Sequence, residues 1–332
     1  MYDGKRIAVV VPAYNESGFV VDVVETVPEF VDRIYAVDDA STDDTWAEIR
    51  DAAARVNETE ANPQRATADG GTVETKRVVP IRHEQNQGVG AAITTGYRSA
   101  TDDGMDVVAV MNGDGQMDPD ILDRIIAPIV EGRADYAKGN RLRAREYRTS
   151  MSRWRFFGNS VLTFLTKIAS GYWGMMDPQN GYTAISRSAI ERIDLDASYD
   201  AYGFCNDILV RLNVHQLRIE DVEMPAVYGD ENSHIRYRTF VPKLSLLLAR
   251  RFLWRLQTRY LVTDFHPLVF LYAISGLGLV GGGLYGLWAL TDTTSQLLHL
   301  GVAATELLVA LTVLVLAMVL DMQHNRELEV RG

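Results

Sequence analysis

Apolar runs and amphipathic segments alternate over the first 114 residues of the chain. The apolar runs predict four strands, at residues 6–14, 33–41, 78–84 and 106–114. The amphipathic segments predict helices at 17–30, 41–56 and 88–100, with Ser17 as the N-cap of the first. Strands that alternate with helices of this length predict βαβ units, so the fold is expected to be α/β: a Rossmann-like, mostly parallel sheet flanked by helices.

Two long apolar stretches follow near the C-terminus. Residues 267–290 contain no charged residue, and the stretch exceeds the ~20 residues that a helix needs to cross a bilayer. Residues 299–320 contain one charge, Glu306, which is expected near a membrane interface. The pair predicts a two-helix transmembrane hairpin. The alternative is two buried helices of a soluble core, which the length and uniform apolarity of the first stretch disfavour.

The charges that flank these stretches predict their orientation. The linker "TDTTSQ" has no Lys or Arg, whereas "RRFLWRLQTRY" before the first stretch and "HNRELEVR" after the second do. The positive-inside rule therefore places both termini and the N-terminal domain in the cytoplasm, with a multi-pass anchor in the plasma membrane. The N-terminus "MYDGKRIAVVVPAYNE" has no basic region followed by a cleavable apolar stretch, so no signal peptide is expected.

A basic segment precedes the first apolar stretch. Residues 236–259 hold seven Lys or Arg and no acid, although the whole chain has a net charge of −11, which argues against a nucleic-acid binder. Within 243–262, apolar residues at helical spacing alternate with arginines, which predicts an interfacial helix with its basic face toward lipid headgroups. The arginines are Arg250, Arg251, Arg255 and Arg259. The alternative is a helix that packs on the preceding domain.

These patterns divide the chain into four parts. They are a domain at 1–235, juxtamembrane helices at 236–264, the transmembrane hairpin at 265–322 and a tail at 323–332. Residues 57–77 are polar, contain Pro and Gly, and predict a surface loop inserted in the first part. The single cysteine, Cys205, excludes an intramolecular disulfide and is interpreted as a small buried apolar residue.

Polar residues collect where the predicted strands end. Asn112, Asp114 and Gln116 occupy alternate positions in "NGDGQ" after the fourth strand, so an extended chain would turn all three to one face. Carboxylate and amide oxygens suit Mg²⁺ or Mn²⁺. The alternative is a polar turn built on Asn-Gly and Asp-Gly.

The first and second strands also end in acids. Glu16 follows the first strand, and Asp38 and Asp39 end the second. In open α/β sheets the ligand binds beyond the carboxyl ends of the strands. We expect one of the two aspartates to cap the next helix and the other to accept hydrogen bonds from a base or a ribose.

Several motifs together resemble a known family. The segments "VVPAYNE", "VDDASTDDT", "NQGVGAAITTGY", "MNGDGQMDP", "KGNR" and "DPQNGYTAISRSAIERI" match, in order, the signatures of inverting family 2 glycosyltransferases with the GT-A fold. The match covers roughly residues 6–235. With the paired apolar stretches, the chain looks most like polyprenyl-phosphate or dolichyl-phosphate hexose synthases. The resemblance implies a nucleotide-sugar donor, a divalent metal, Mg²⁺ or Mn²⁺, and a lipid-phosphate acceptor. UDP-glucose is the favoured donor and GDP-mannose the alternative, and a homo-oligomer is compatible with the sequence.

The resemblance assigns roles residue by residue. Donor binding is implied for Pro12, Tyr14, Glu16, Asp38, Asp39 and Gly88. Asn112 and Asp114 match the two aspartates of the D-x-D metal motif, and Gln116 matches a glutamine that often follows. The departure at Asn112 removes one negative charge, which should weaken metal affinity and leaves Asp114 as the main ligand.

The acceptor side is implied by a second group of residues. Asp177 matches the position of a catalytic base in some relatives. A phosphate monoester acceptor has its second pKa near ~6 and is already mostly a dianion at neutral pH, so it needs no base, and Asp177 is then expected to orient a sugar hydroxyl or the loop that contains it. Arg141 matches an arginine that faces the phosphates, and Lys138 beside it is equally compatible with a solvated strand end. Arg236 and Arg238 are placed to meet a lipid phosphate at the bilayer surface.

Three other functions were weighed. A dinucleotide-binding dehydrogenase is disfavoured because "GVGAAI" has two of the three required glycines and belongs to the wrong βαβ unit. A processive polysaccharide synthase is expected to have more transmembrane helices and a Q-x-x-R-W motif, which this sequence does not contain. A membrane-anchored nucleotide-sugar sensor, catalytically disabled by Asn112, is distinguished from an enzyme by metal-dependent donor turnover.

Overall fold

The computed structural model describes residues 1–60, 76–141, 153–225, 237–292 and 294–330, with backbone only at 60, 153–157, 159 and 237–240. The described strands are β1 (Ile7–Ala13), β2 (Arg33–Asp38), β3 (Val78–Arg82), β4 (Val107–Val110), β5 (Tyr136–Asn140), β6 (Thr183–Ser186), β7 (Ile219–Glu223) and β8 (Glu329–Val330). The described α-helices are α1 (Val20–Thr26), α2 (Thr45–Glu60), α3 (Val89–Asp102), α4 (Leu122–Val130), α5 (Arg153–Ser170), α6 (Arg187–Arg192), α7 (Phe204–Val214), α8 (Tyr237–Gln257), α9 (Leu268–Ala289) and α10 (Gln296–Asn325). Short 3₁₀ turns cover Pro119–Ile121 and Arg326–Leu328, and a π-helix covers Thr258–Thr263.

The described strands form one sheet in the order β3-β2-β1-β4-β6-β5-β7-β8. The first four strands are parallel to one another, which confirms the predicted βαβ units. Strand β6 is antiparallel to both of its neighbours, whereas β7 and β8 continue in parallel beyond β5. The mostly parallel sheet flanked by helices is therefore confirmed.

Side chains from the two faces of the sheet form two cores. Alternate residues of β1, such as Val9 and Val11, pack against α1, α2 and α4, while Val10 faces α3 and α7 on the other side. All seven residues of β1 are buried, because helices cover both faces of this central strand. Gly96 on α3 lies against Val10, and a Cβ at this glycine would come within 2.4 Å of the valine side chain.

Two local predictions need correction. The first helix begins at Val20, and Ser17 does not cap it, since its hydroxyl donates to the Glu48 carboxylate across 2.7 Å. The predicted loop 57–77 begins too early, because α2 continues through residue 60. Most of that loop, residues 61–75, lies outside the described part of the chain.

Helix α8 packs on the N-terminal part of the chain through an apolar face. Leu244 and Leu248 are buried against Leu162 of α5 and Val210 of α7. Four arginines in this helix and in the π-helix after it were predicted to face the lipid headgroups. Three of them turn inward instead. Arg251 pairs with the buried Asp207, while Arg255 and Arg259 are 0% and 2% exposed; Arg250 stays exposed.

The prediction of a basic face toward the headgroups is therefore wrong for Arg251, Arg255 and Arg259. Carboxylate and amide oxygens on α7 and α10 bind these arginines, and only the tertiary fold brings those oxygens within reach. The alternative of a helix packed on the preceding domain describes this part of α8 better.

Helices α9 and α10 pack against each other and expose most of their apolar surface. Both are long and apolar enough to cross a membrane, and only 22% and 17% of their most apolar windows are buried. Gly278 permits close approach, because a Cβ there would lie 2.9 Å from the Ala310 Cβ. Glu306 lies ten residues into α10, about 15 Å along the helix, and its expected place near a membrane interface stays a prediction.

The tail returns to the sheet. After α10 ends at Asn325, a 3₁₀ turn leads into β8, which pairs with the edge strand β7. The Glu329 carboxylate also accepts a hydrogen bond from the Gly174 N–H. The start of α9 and the end of α10 therefore both lie next to the sheet.

Candidate active site

The carboxyl ends of β1, β2 and β4 meet at one edge of the sheet. The Gly113 N–H donates to the Pro12 carbonyl at 3.1 Å, and the Asp39 N–H donates to the Ala13 carbonyl at 2.9 Å. A Cβ at Gly113 would lie 3.1 Å from the Ala13 side chain. The "NGDGQ" turn and the "VDDAS" turn therefore flank the end of β1, as the strand order predicts.

The "NGDGQ" segment is a turn and not a continued strand. Strand β4 ends at Val110, Gly115 has a φ of +70°, and the Asp114 carboxylate accepts from the Gln116 N–H at 3.0 Å. The strand-like alternation that was predicted for Asn112, Asp114 and Gln116 is wrong. The reason is that Asp114 bonds to the backbone two residues on, which folds the chain locally.

Asp114 has the electrostatic character of a desolvated ligand. Burial raises the pKa of its carboxyl, and the hydrogen bond from Gln116 and the charge of Arg141 partly offset this effect. Among the described residues, no group of three or more His, Cys, Asp or Glu forms a metal cluster. The ligand set predicted from the sequence, the Asp114 carboxylate with the amides of Asn112 and Gln116, stays a prediction. This hard oxygen set fits Mg²⁺ or Mn²⁺, which commonly keep waters and share phosphate ligands.

The "DPQNG" segment packs over this turn. A Cβ at Gly181 would lie 3.3 Å from the Asn112 amide nitrogen and 3.3 Å from Met117. Tyr182 donates from its hydroxyl to the Asp118 carbonyl at 3.0 Å. These contacts bring the segment that contains Asp177 to the same edge as Asp114.

Asp177 and Arg141 form a two-pronged ion pair. Arg141 donates from Nε at 2.8 Å and from Nη2 at 3.0 Å, one bond to each carboxylate oxygen, and its backbone N–H adds a third at 3.2 Å. Burial by itself would raise the pKa of Asp177, but the hydrogen bonds and charge of Arg141 outweigh it and hold that pKa below its ordinary value. A carboxylate so stabilised in its ionised form is a weak base.

The backbone around Asp177 is held in an unusual conformation. Asp177 has a φ of +49°, which non-glycine residues rarely adopt. Lys138, 1% exposed, donates to the Met176 and Asp177 carbonyls and pairs with Asp221 at 2.9 Å. The alternative of a solvated Lys138 is wrong, because this lysine supports the turn that carries Asp177.

The two aspartates after β2 are engaged within the protein. Asp39 is 2% exposed, and its carboxylate accepts from the Gln87 and Gly88 N–H groups at 2.9 and 2.7 Å. Asp38 accepts from the Ser41 N–H at 3.2 Å and pairs with Arg82 at 3.1 Å. Neither caps α2, where Asp43 accepts from Thr45, so the prediction of a cap is wrong for both, and contact of either acid with a base or a ribose stays a prediction.

Gly88 has a structural reason to be glycine. Its φ is +99°, its N–H donates to Asp39, and a Cβ would come within 2.4 Å of the Asp200 carbonyl. Sequence reasoning missed His83, which lies 2.7 Å from Asp39 and 2.9 Å from the Thr95 hydroxyl. The signal available in the sequence was the pair "RH" at the end of the third strand.

The first motif contributes both backbone and side chains. Pro12 is buried, Tyr14 is 44% exposed, and the Glu16 N–H donates to the Thr45 hydroxyl at 2.8 Å. Sequence reasoning also missed Tyr202. It is 65% exposed, and partial burial followed by the negative charges of Glu16 and Asp114 raises the pKa of its phenol.

The two arginines proposed to meet a lipid phosphate are not described. Arg236 lies outside the described residues, and only the backbone of Arg238 is described. Their contact with an acceptor stays a prediction.

Comparison with known proteins decides the family. Residues 8–194 match Glycosyl transferase family 2 over more than half of the chain. The chain belongs to glycosyl transferase family 2. Because this family and the relatives named below are glycosyltransferases, the protein is an enzyme of that class.

Relatives within glycosyl transferase family 2 include lipid-phosphate sugar transferases. UDP-N-acetylglucosamine–dolichyl-phosphate N-acetylglucosaminyltransferase of Methanococcus voltae is 30% identical over 74% of this chain and 98% of its own length. Polyprenol monophosphomannose synthase of Mycolicibacterium smegmatis is 26% identical over 68% of this chain and 78% of its own.

Solved structures share the fold. Glucosyl-3-phosphoglycerate synthase from Mycobacterium tuberculosis, in complex with Mn²⁺, UDP and phosphoglyceric acid, superposes with a TM-score of 0.54. The identity is 17%, and the match covers 76% of this chain and 78% of that one. This likeness supports the fold.

Proposed function

We propose that this glycosyltransferase transfers a hexose from a nucleotide sugar to a polyprenyl or dolichyl phosphate with inversion. The observation that carries the proposal is that one chain joins the Asp114 and Arg141–Asp177 site to a pair of exposed apolar helices. A lipid acceptor needs both a nucleotide-sugar site and a membrane anchor. The two relatives with lipid-phosphate acceptors support the same conclusion.

The geometry suits a single displacement at the anomeric carbon. Asp114, with Asn112 and Gln116, would hold a divalent cation, which supplies charge neutralisation for the departing diphosphate. Arg141 adds a fixed cation on the same side, and Asp177 holds its guanidinium in place. An oxygen of the acceptor phosphate forms the new bond to the anomeric carbon as the bond to the nucleoside diphosphate breaks.

No general base is required for this step. The acceptor phosphate is mostly dianionic above its second pKa of about 6, so it attacks without losing a proton. Asp177 is correspondingly assigned to orienting Arg141. A base would need a raised pKa, whereas that of Asp177 is lowered.

The donor that we propose is a UDP-linked hexose. UDP-glucose is the expectation from the sequence. The Methanococcus voltae relative is named for UDP-N-acetylglucosamine, so that sugar is tested beside it, and GDP-mannose is the alternative. We further propose that the apolar helices anchor the enzyme in the plasma membrane with the catalytic domain and both termini in the cytoplasm.

The test is transfer of labelled sugar into lipid by membranes that contain the protein. Each of the three donors is offered separately with Mn²⁺ or Mg²⁺, with and without a chelator. We expect chelator-sensitive label in a lipid that mild acid releases, from one donor only. Such label would also exclude the sensor.

The matched variant is Asp114→Ala, with Asp120→Asn as a control for loss of an exposed acid in the next turn. Asp114→Ala should abolish transfer, because it removes the only carboxylate among the three proposed ligands. Near-normal transfer by Asp114→Ala would contradict the assignment. Absence of lipid label from every donor with the unaltered protein would contradict the proposed function.

A further inference from the structure

A buried ion pair joins the apolar helices to the catalytic domain. Arg255 of α8 donates to both carboxylate oxygens of Asp321 on α10, at 2.8 and 3.1 Å, and both residues are 0% exposed. Burying two charges is costly unless the geometry is good and further hydrogen bonds satisfy the remaining atoms. The surroundings supply such bonds to Asp321 and to both terminal nitrogens of Arg255, whereas the Arg255 Nε has no partner among the described residues.

Asp321 collects donors from several separate elements. Tyr260 of the π-helix donates its hydroxyl at 2.6 Å, Asn325 donates at 2.9 Å, and the Trp173 indole donates at 3.3 Å. Trp173 belongs to the catalytic domain, in the segment that follows α5. One carboxylate thus links α8, the π-helix, α10 and the catalytic domain.

The Arg255–Asp321 pair and the groups that bond to it are called the junction below. A second arginine extends the junction to α7. Arg259 donates to the Asn325 side chain at 2.6 Å and to the Asn213 carbonyl at 3.0 Å. Asn213 itself donates to Asn325 at 2.9 Å. All three residues are at most 2% exposed, so the junction is a connected network buried within the protein.

The junction contacts the segment at residues 168–177. Arg255 donates to the Ile168 carbonyl at 3.1 Å. Its guanidinium also packs against Gly171, where a Cβ would come within 2.4 Å of it. Glu329, on the strand after α10, accepts from the Gly174 N–H at 2.8 Å. Arg255 of α8, Asp321 of α10 and Glu329 of β8 therefore contact this segment at four points, Ile168, Gly171, Trp173 and Gly174.

The far end of the same segment carries Asp177. It lies four residues beyond Trp173, so their Cα atoms are at most about 14 Å apart. Asp177 in turn fixes Arg141 through the two-pronged ion pair. A short length of chain thus connects the C-terminal end of α10, which contains Asp321, to the proposed phosphate-facing arginine.

The sheet supports the far end independently of the junction. Lys138 donates to the Asp177 carbonyl, and the Asp221 carboxylate accepts from the Met176 N–H at 2.7 Å. Loss of the Arg255–Asp321 pair should therefore leave the local geometry at Asp177 intact and loosen its placement relative to the apolar helices.

We propose that the Arg255–Asp321 pair is a positioning element that holds the 168–177 segment, and with it Arg141, at the depth of the acceptor phosphate in the bilayer. This inference rests on the proposed function. The pair touches no reacting atom. Its loss should impair the use of an acceptor embedded in a membrane, whereas an acceptor that diffuses freely to the site needs no such alignment.

The experiment compares two acceptors in proteoliposomes: a long-chain polyprenyl phosphate in the bilayer and a short, water-soluble isoprenyl phosphate. For Asp321→Asn we expect KM for the embedded acceptor to rise by about tenfold or more, since small misplacements are costly. The kcat/KM for the soluble acceptor should stay within about threefold of the unaltered protein. Arg250→Lys, an exposed arginine on the same helix, is the matched control and should change neither value.

Equal losses on both acceptors, or unchanged values on both, would overturn the proposal. Stabilisation by UDP in a thermal melt reports whether each variant folds. If Asp321→Asn does not fold, Asp321→Glu replaces it in the test, because it keeps the negative charge and shifts its position. For Asp321→Glu we expect KM to rise for the embedded acceptor only, and by less than for Asp321→Asn. Failure of the proposed function looks different, since the unaltered protein would then use neither acceptor.

Discussion

At the scale of single residues, the candidate site is economical in negative charge. Asp114 is its one carboxylate in the turn that would hold a cation, and Asn112 replaces the acid that the family motif has at the first position. The second acid that faces the site, Asp177, is neutralised by Arg141. The sharpest predictions therefore concern the number of charged ligands at the candidate metal position and the ionisation state of Asp177.

Restoring the missing acid should strengthen metal binding. For Asn112→Asp we expect the Mn²⁺ concentration that gives half-maximal transfer to fall by about tenfold, because affinity for such cations follows the number of charged ligands. The measurement is a metal titration of the initial rate. Gln323→Glu adds the same charge at an exposed position on α10 and should leave the titration unchanged. An unchanged titration for Asn112→Asp would argue that position 112 does not contact the metal.

Removing the charge of Asp177 should leave substantial activity. Its folded pKa is lowered, so Asp177 is ionised throughout neutral and mildly acidic pH and contributes no titration there. For Asp177→Asn we expect kcat/KM to fall by no more than about tenfold, since Arg141 loses its anchor but the attacking phosphate is already ionised. Both forms should lose rate on the acid side near pH ~6, where the acceptor phosphate gains a proton.

The measurement is a pH–rate profile of both proteins from pH 5 to 8. A loss of several orders of magnitude, or an acid limb that disappears in the variant, would show that Asp177 acts as a base.

At the scale of elements, α8 serves the fold more than the membrane surface. Its apolar residues divide into a buried set that includes Leu244 and Leu248 and an exposed set that includes Leu246 and Leu253. The buried set closes a small core with α5 and α7. The helix is thus a structural link between the catalytic domain and the apolar helices.

Two matched substitutions separate these faces. Leu248→Ala should lower the free energy of unfolding by about 3 kcal/mol, because Leu248 is 2% exposed and its removal leaves a cavity. Leu253→Ala, at a position that is 64% exposed, should change it by less than about 0.5 kcal/mol. Denaturant unfolding in one detergent, followed by tryptophan fluorescence, compares the two. Equal losses would show that α8 does not dock through Leu248.

At the scale of the whole molecule, the chain leaves the catalytic sheet and comes back to it. Strand β8 follows α10 and pairs with β7, so residues on either side of the two apolar helices belong to one folded body. The connection between α9 and α10 follows the end of α9 and precedes the start of α10, so it lies at the ends of the two helices that are away from their attachments to that body. If the helices cross a membrane, this connection lies on the opposite side from the active site.

Thiol labelling tests this topology. Thr294→Cys places a thiol in the connection, and Asp120→Cys places one on the exposed surface of the catalytic domain. The native Cys205 is partly buried, and burial raises the pKa of its thiol to about 11, so it should react more slowly than the two introduced thiols. We expect a membrane-impermeant maleimide to label Thr294→Cys in intact cells and Asp120→Cys only after permeabilisation. Labelling of both from outside, or the reverse pattern, would refute the proposed orientation.

Much of the catalytic domain could be predicted from local patterns. The strands β1 to β4 and the helices between them follow from apolar runs that report burial on both faces, and the place of the candidate cation site follows from its position after β4. The pairing of β5 to β8 could not be predicted this way. A short strand carries no record of its neighbours, and β8 joins the sheet from beyond the apolar helices.

The sequence by itself determined which residues are apolar, where strands end and which side chains can bind a cation or a phosphate, because these depend on local composition and period. The tertiary structure alone decided the partners. It closed Asp39 onto the 83–88 turn, neutralised Asp177 with Arg141, and buried Arg255 against Asp321, which is 66 residues away. An arginine in a basic amphipathic pattern looks the same whether it meets lipid or a buried carboxylate, since the difference lies in a distant segment that only folding brings near.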